Sequence, residues 1–140
     1  MQQIKLVILD DDPDDLYLLK EIFLEKGFIQ LQYFSDGQKC LKYLEECADE
    51  ELPDTVLTDL NMPLISGYDI IKKIKSSERL LHINVLVCST SGTPASIDQC
   101  RELGARDYFV KPYKISGYHE LAEAISGLYS ARSTTDLKAP

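Results

Sequence analysis

The chain has no C-x-x-C pair. Its four cysteines, Cys40, Cys47, Cys88 and Cys100, are scattered, and its two histidines, His82 and His119, lie far from any cysteine pair. Zinc-ligand spacing is therefore absent, and the cysteines read as reduced, mostly buried thiols of a cytoplasmic protein. No stretch approaches the ~20 apolar residues that a membrane span needs. The opening residues, MQQIKLVILDDD, lack the cationic start and long apolar run of a signal peptide. Both glycine-rich phosphate loops, G-x-G-x-x-G and G-x-x-x-x-G-K-[ST], are missing. Positive charge is scarce: 15 Lys and Arg stand against 23 Asp and Glu, a formal net charge of −8. That argues against nucleic acid and against an anionic membrane, both of which are recognised through clustered cations. No internal repeat or low-complexity segment is present.

What the chain has is an even alternation of short apolar runs and helical patterns over 140 residues, enough for one domain with a real core. Strands are predicted at residues 4–9, 29–34, 55–58, 83–88 and 108–110. The second alternates with Gln30 and Gln32, as an edge strand does. Asp12-Pro13 opens a first helix that Gly27 closes, and Leu16, Leu19, Ile22 and Phe23 form its inner stripe. Ser35 or Asp36 caps a second helix to about Cys47, followed by an exposed acidic loop at 48–53. A third helix covers 68–75. Thr93-Pro94 opens a fourth that Gly104 closes, and a fifth covers 116–129. Five strands alternating with five helices predict an α/β fold with a doubly wound parallel sheet covered on both faces. Residues 131–140 lack periodicity and read as a flexible C-terminal tail beyond a domain at 1–130.

In such sheets ligands bind beyond the carboxyl ends of the strands. Those ends carry Asp10, Asp11 and Asp12 after strand one, Asp59 after strand three, Ser89 closing strand four and Lys111 after strand five. Clustered carboxylates raise one another's pKa and call for a cation. Mg²⁺ suits them, being held commonly by one or two carboxylates plus a phosphate. The metal would neutralise phosphoryl oxygens while a carboxylate attacks in line, with Lys111 as a point cation and Ser89 as a hydrogen-bond donor.

These residues fall into four segments: Ile8-Leu9-Asp10-Asp11; Thr58-Asp59-Leu60-Asn61-Met62-Pro63 with Gly67; Val87-Cys88-Ser89-Thr90; and Tyr108-Phe109-Val110-Lys111-Pro112. In order and at successive strand ends, they resemble a response-regulator receiver domain of bacterial two-component signalling, over about residues 4–128. The resemblance implies a flavodoxin-like sheet in strand order 2-1-3-4-5. It implies Asp59 as phosphoacceptor, Asp11 as direct Mg²⁺ ligand, Asp10 acting through water, and Asn61 offering its backbone carbonyl to the metal. Ser89 would be the switch hydroxyl, Tyr108 the aromatic that turns with phosphorylation, and Lys111 the site lysine, joined to Pro112 by a cis bond.

The implied partners are a sensor histidine kinase or histidine phosphotransfer protein and a downstream protein target. Target binding, relay or homodimerisation would use the face of the fourth helix, fifth strand and fifth helix. No catalysis is implied beyond self-phosphorylation and slow self-dephosphorylation, and residues 131–140 leave no room for an effector domain. Serine replaces the more usual threonine at position 89. Thr90 stands where a small residue is usual, which would narrow access to the phosphoryl group and alter its lifetime.

Other readings compete. Asp12 is expected to cap a helix rather than bind metal, and Asp14 and Asp15 to be first-turn acids that complement the helix dipole. Tyr108 alone would be ordinary edge packing, and His82 and His119 surface residues. Asp10-Asp11-Asp12 also fits the D-x-D arrangement of a haloacid-dehalogenase-type phosphohydrolase, with Asp10 as nucleophile and Asp12 as acid/base. A third reading is a receiver in shape only, never phosphorylated, although such domains usually lose a site residue and none is lost here.

Overall fold

The computed structural model describes residues 2–138, with side chains from Ile4 to Tyr129. Five parallel strands form one sheet: β1 (Gln2–Leu9), β2 (Phe28–Phe34), β3 (Thr55–Thr58), β4 (Asn84–Ser89) and β5 (Asp107–Val110). Their order is β2-β1-β3-β4-β5, with β2 at one edge as its alternating pattern predicted. Between them run α1 (Pro13–Glu25), α2 (Gly37–Glu46), α3 (Gly67–Lys75), α4 (Pro94–Leu103) and α5 (Ile115–Lys138).

The period of two along each inner strand divides the core. Leu6 and Ile8 of β1, with Leu57, Leu86 and Cys88, pack under Leu19, Ile22 and Phe23 of α1 and Leu121, Ala122 and Ile125 of α5. Val7 and Leu9, with Val56, Val85 and Val87, pack on Cys40 and Leu44 of α2, Ile70, Ile71 and Ile74 of α3 and Cys100 of α4. Helices thus cover both faces, and the centres of the inner strands, residues 6–9, 56–57 and 85–88, are apolar, as strands buried on both sides must be. The four cysteines are all free, and burial pushes the Cys40 and Cys88 thiols up to about 12.

The helix starts follow local rules. Asp12 and Asp36 are N-caps, each accepting from the two backbone N–H groups that follow the first helical residue. Ser66 and Asp69 form a reciprocal capping box on α3. Thr93 caps α4, and Gly104 ends it with φ +114°, a left-handed conformation that a Cβ would strain.

Three expectations are corrected. The acidic loop at 48–53 contains a 3₁₀ turn at Asp49–Glu51. Arg79 stabilises it, pairing with Asp49 at 2.7 Å and donating to the carbonyls of Leu44, at 2.6 Å, and of Cys47. The last turn of α2 has no basic residue of its own, so Arg79 supplies the donors its carbonyls lack. The fifth helix continues to Lys138 instead of ending near 129. No glycine or proline lies between Leu128 and Lys138 to stop it, and residues 139–140 of the expected tail lie outside those described. Finally, every peptide bond among the described residues is trans, Lys111–Pro112 included. The preference between isomers before proline is only about 0.5–1 kcal/mol, so local packing decides it. Among the described residues, no helix is long and apolar enough to cross a membrane.

Candidate phosphoryl site at the strand ends

The strand order reverses at β1, whose chain continues into α1 on one face, while β3 leads to α3 on the other. A crevice therefore opens beyond the carboxyl ends of these two neighbours. Leu9 lies opposite Thr58 in the β1–β3 register, so Asp10 and Asp59 leave the sheet side by side. The Asp59 N–H donates to the Leu9 carbonyl at 2.9 Å and the Asp10 N–H to the Phe34 carbonyl at 3.1 Å, fixing both backbones. On the other side, the Lys111 N–H donates to the Ser89 carbonyl at 2.8 Å.

One oxygen from each of Asp10, Asp11 and Asp59 lies within 4.8 Å of the others. That is a set of hard oxygen donors of the kind a small divalent cation prefers. Asp10 is 2% exposed and Asp59 8%. Lys111, itself buried, pairs with Asp10 at 2.8 Å, Asp15 at 2.9 Å and Asp59 at 3.3 Å. An ammonium group has three donors, and three carboxylates take them. The cluster keeps an excess of negative charge. Burial, with the charge of Asp59, pushes the Asp10 carboxyl up to about 6, against the opposing pull of Lys111 and the Asp12 N–H. Burial would lower the Lys111 pKa, but the hydrogen bonds it donates to Asp10 and Asp15 outweigh it and hold the ammonium above its usual range.

The second Asp59 oxygen, Oδ1, accepts from the Leu60 N–H at 2.8 Å. The loop that follows is shaped to allow this. Leu64 takes φ +67°, and the Ile65 N–H closes back on the Pro63 carbonyl at 2.7 Å, a tight three-residue turn in a region that non-glycine residues seldom occupy. The chain then returns beneath the site, where the Gly67 N–H donates to the Leu60 carbonyl at 2.8 Å. A Cβ on Gly67 would stand 2.2 Å from the Asp59 carbonyl oxygen and 2.8 Å from the Leu60 Cα.

Ser89 is fully buried at the end of β4, and its Oγ accepts from the Ser91 N–H at 3.4 Å. The Tyr108 hydroxyl donates to the Ser91 carbonyl, so Ser91 links the hydroxyl of β4 to the phenol of β5. Burial raises the Tyr108 pKa. Thr90 and Asn61 are both exposed at the edge of the site.

The structure thus brings Asp10, Asp11, Asp59 and Lys111 into one cluster and places Ser89 and Tyr108 on the adjoining strands. One oxygen of the Asp12 carboxylate, Oδ1, accepts from the Asp14 and Asp15 N–H groups at 2.9 and 3.2 Å, so Asp12 serves as the helix cap, and the carboxylates beside the buried lysine are Asp10, Asp15 and Asp59. Sequence reasoning missed Asp15, taken there as a first-turn acid. The available signal was its N3 position relative to the cap at Asp12, from which a side chain reaches back over the helix start. It also missed the steric role of Gly67.

The description "Response regulator receiver domain" matches residues 6–125, and the chain belongs to that family of two-component signalling domains. It is 30% identical over 128 residues to the two-component response regulator ARR8 of Arabidopsis thaliana, an alignment covering 81% of this chain and 56% of ARR8. The chain thus spans little more than half of that relative's length. Among solved structures it is similar to the phosphorylated cyanobacterial phytochrome response regulator RcpA, with TM-score 0.79 and 26% identity over 89% of this chain and 91% of that one. It is also similar to the Mn²⁺-bound form of the response regulator Rcp1, with TM-score 0.76 and 25% identity over 89% of this chain and 94% of that one.

Proposed function

We propose that this receiver domain, residues 1–130, is a phosphorylation switch in which Asp59 accepts a phosphoryl group from a phosphohistidine donor. The observation that carries this reading is a buried Asp59 carboxylate standing beside both a lysine ammonium and two further carboxylates. An Asp59 oxygen attacks phosphorus, the bond to the donor nitrogen breaks, and an acyl phosphate forms. Lys111 follows the charge onto a phosphoryl oxygen. Mg²⁺, held by Asp10, Asp11 and Asp59 with the Asn61 backbone carbonyl, would supply positive charge against the remaining phosphoryl oxygens. The Mn²⁺-bound Rcp1 and the phosphorylated RcpA lend support through their similarity.

The switch acts on Ser89. Its buried hydroxyl turns toward the phosphoryl oxygen and leaves the Ser91 N–H, loosening the link from Ser91 to Tyr108. The face of α4, β5 and α5 is then remodelled for a downstream protein, a phosphorelay partner or a second copy. This is a population shift, since the phosphoryl group bonds Ser89 in one state only. The donor is a sensor histidine kinase or a histidine phosphotransfer protein. Thr90, exposed beside Ser89, sets how easily water reaches the phosphoryl group.

Incubation with Mg²⁺ and a small phosphodonor such as acetyl phosphate is expected to add one phosphoryl group to the intact protein, and Asp59→Asn to abolish it. Continued labelling of Asp59→Asn overturns the assignment. The metal carries a pH signature. Asp10, at about 6, must shed its proton to hold the metal or a water bound to it, so Mg²⁺ affinity is expected to hold above that pH. Below it, affinity should fall by about tenfold per pH unit, as read by calorimetry. A flat profile between pH 5 and 7.5 would exclude Asp10 from the metal site.

A further inference from the structure

Lys111 has a third partner that the phosphoryl chemistry does not require. Asp15 projects from the first turn of α1 and meets the ammonium at 2.9 Å, with its side chain 29% exposed. The Lys111 contacts are unequal: 2.8 Å to Asp10 and 2.9 Å to Asp15, both in the range of charge-assisted bonds, but 3.3 Å to Asp59. The ammonium is drawn toward the α1 side of the crevice and away from the nucleophile.

We propose that Asp15 is a positioning residue for phosphoryl acceptance, holding Lys111 at a stand-off from Asp59 in the unphosphorylated state. This rests on the reading of Asp59 as phosphoacceptor. With all three donors engaged, Lys111 follows the arriving phosphoryl oxygens only by stretching from a carboxylate. Of the three bonds, the one to Asp59 is longest and is the one exchanged, while Asp10 and Asp15 keep the ammonium back. Asp15 also adds one negative charge to a cluster that must admit an anionic phosphodonor. The same charge favours a cation. Asp15 therefore acts with opposite sign on the two ligands, slowing phosphoryl acceptance and strengthening metal binding. A merely structural role would move both in one direction.

The test compares wild type, Asp15→Asn and Asp15→Glu as full chains. Initial acyl-phosphate formation from acetyl phosphate is measured at saturating Mg²⁺ over a range of phosphodonor concentrations. Binding of Mg²⁺ alone to the unphosphorylated protein is measured by calorimetry. Asp15→Asn keeps the size of the side chain and removes one charge near the site. It is expected to label about three- to tenfold faster and to bind Mg²⁺ more weakly by a similar factor. Asp15→Glu, which keeps the charge, is expected to return both toward wild type. The inference is overturned by an unchanged labelling rate in Asp15→Asn, by rate and affinity falling together, or by Asp15→Glu behaving like Asp15→Asn. If wild type itself does not label, the assignment of Asp59 falls instead, and the calorimetry alone still tells whether Asp15 strengthens metal binding.

Discussion

Gly67→Ala is expected to destabilise the protein by about 2–4 kcal/mol and to cut phosphoryl acceptance at least tenfold, even where the variant remains folded. The first methyl carbon would lie 2.2 Å from the Asp59 carbonyl oxygen and 2.8 Å from the Leu60 Cα. Those neighbours are backbone atoms and cannot rotate away as a side chain would. Either α3 withdraws, breaking the 2.8 Å bond from the Gly67 N–H to the Leu60 carbonyl, or the Asp59 peptide tilts. A tilt would carry the carboxylate off the Leu60 N–H and away from Lys111. Denaturant unfolding gives the first quantity and acetyl-phosphate labelling the second. A Gly67→Ala protein of wild-type stability and labelling rate would mean that the close approach is not what positions Asp59.

Lys111→Met is expected to produce the other large effect. Lys111 is the cation that Asp10, Asp15 and Asp59 share, and removing one partner of a buried ion pair typically costs about 3–5 kcal/mol. At pH 7.5 without metal, the variant is expected to lose stability near the lower end of that range. The loss should shrink in two circumstances. One is added Mg²⁺, which replaces the missing positive charge. The other is lower pH, and its sign follows from Asp10. The folded-state pKa, about 6, lies above the ordinary 3.8. The Asp10 contribution to stability is therefore fully present below about pH 4 and is lost as pH rises through 6. Lys111 pulls the Asp10 pKa down, so in the variant Asp10 holds its proton more tightly and gains more from acid than in wild type, and the gap between the two narrows toward pH 5. Phosphoryl acceptance should fall by about one to two orders of magnitude at every pH, because no other cation among the described residues reaches the Asp59 carboxylate. Equal stability at pH 7.5 would remove the argument for a shared counter-charge.

Much of this molecule was legible before any coordinates. Strand periodicity, the caps at Asp12 and Thr93, the cap at one of Ser35 and Asp36, and the stop at Gly104 are local devices, set by hydrogen bonds and dihedral preferences within a few residues. They appear in the structure where the pattern put them. The convergence of Asp10, Asp59 and Lys111 was also readable, because a parallel α/β sheet places every strand's carboxyl end along one edge. The end of α5 was less legible, since loss of amphipathic periodicity does not stop a helix when no glycine or proline intervenes. Arg79 capping α2 could not be read at all, because it joins segments more than 30 residues apart.

By itself, the sequence determined the sheet, the two-sided core and the convergence of Asp10, Asp11, Asp59 and Lys111. Each follows from which residues occupy inward positions and strand ends. Only the tertiary structure decided how the cluster is balanced. The distances from Lys111 to three carboxylates, the enlistment of Asp15 and the wall of backbone against Gly67 depend on how α1 and α3 dock on the sheet. Differences of a few tenths of an ångström between charged groups arise from packing summed over the whole core. No local pattern of residues encodes them, and under the proposed function they set how readily Asp59 would meet a phosphoryl group.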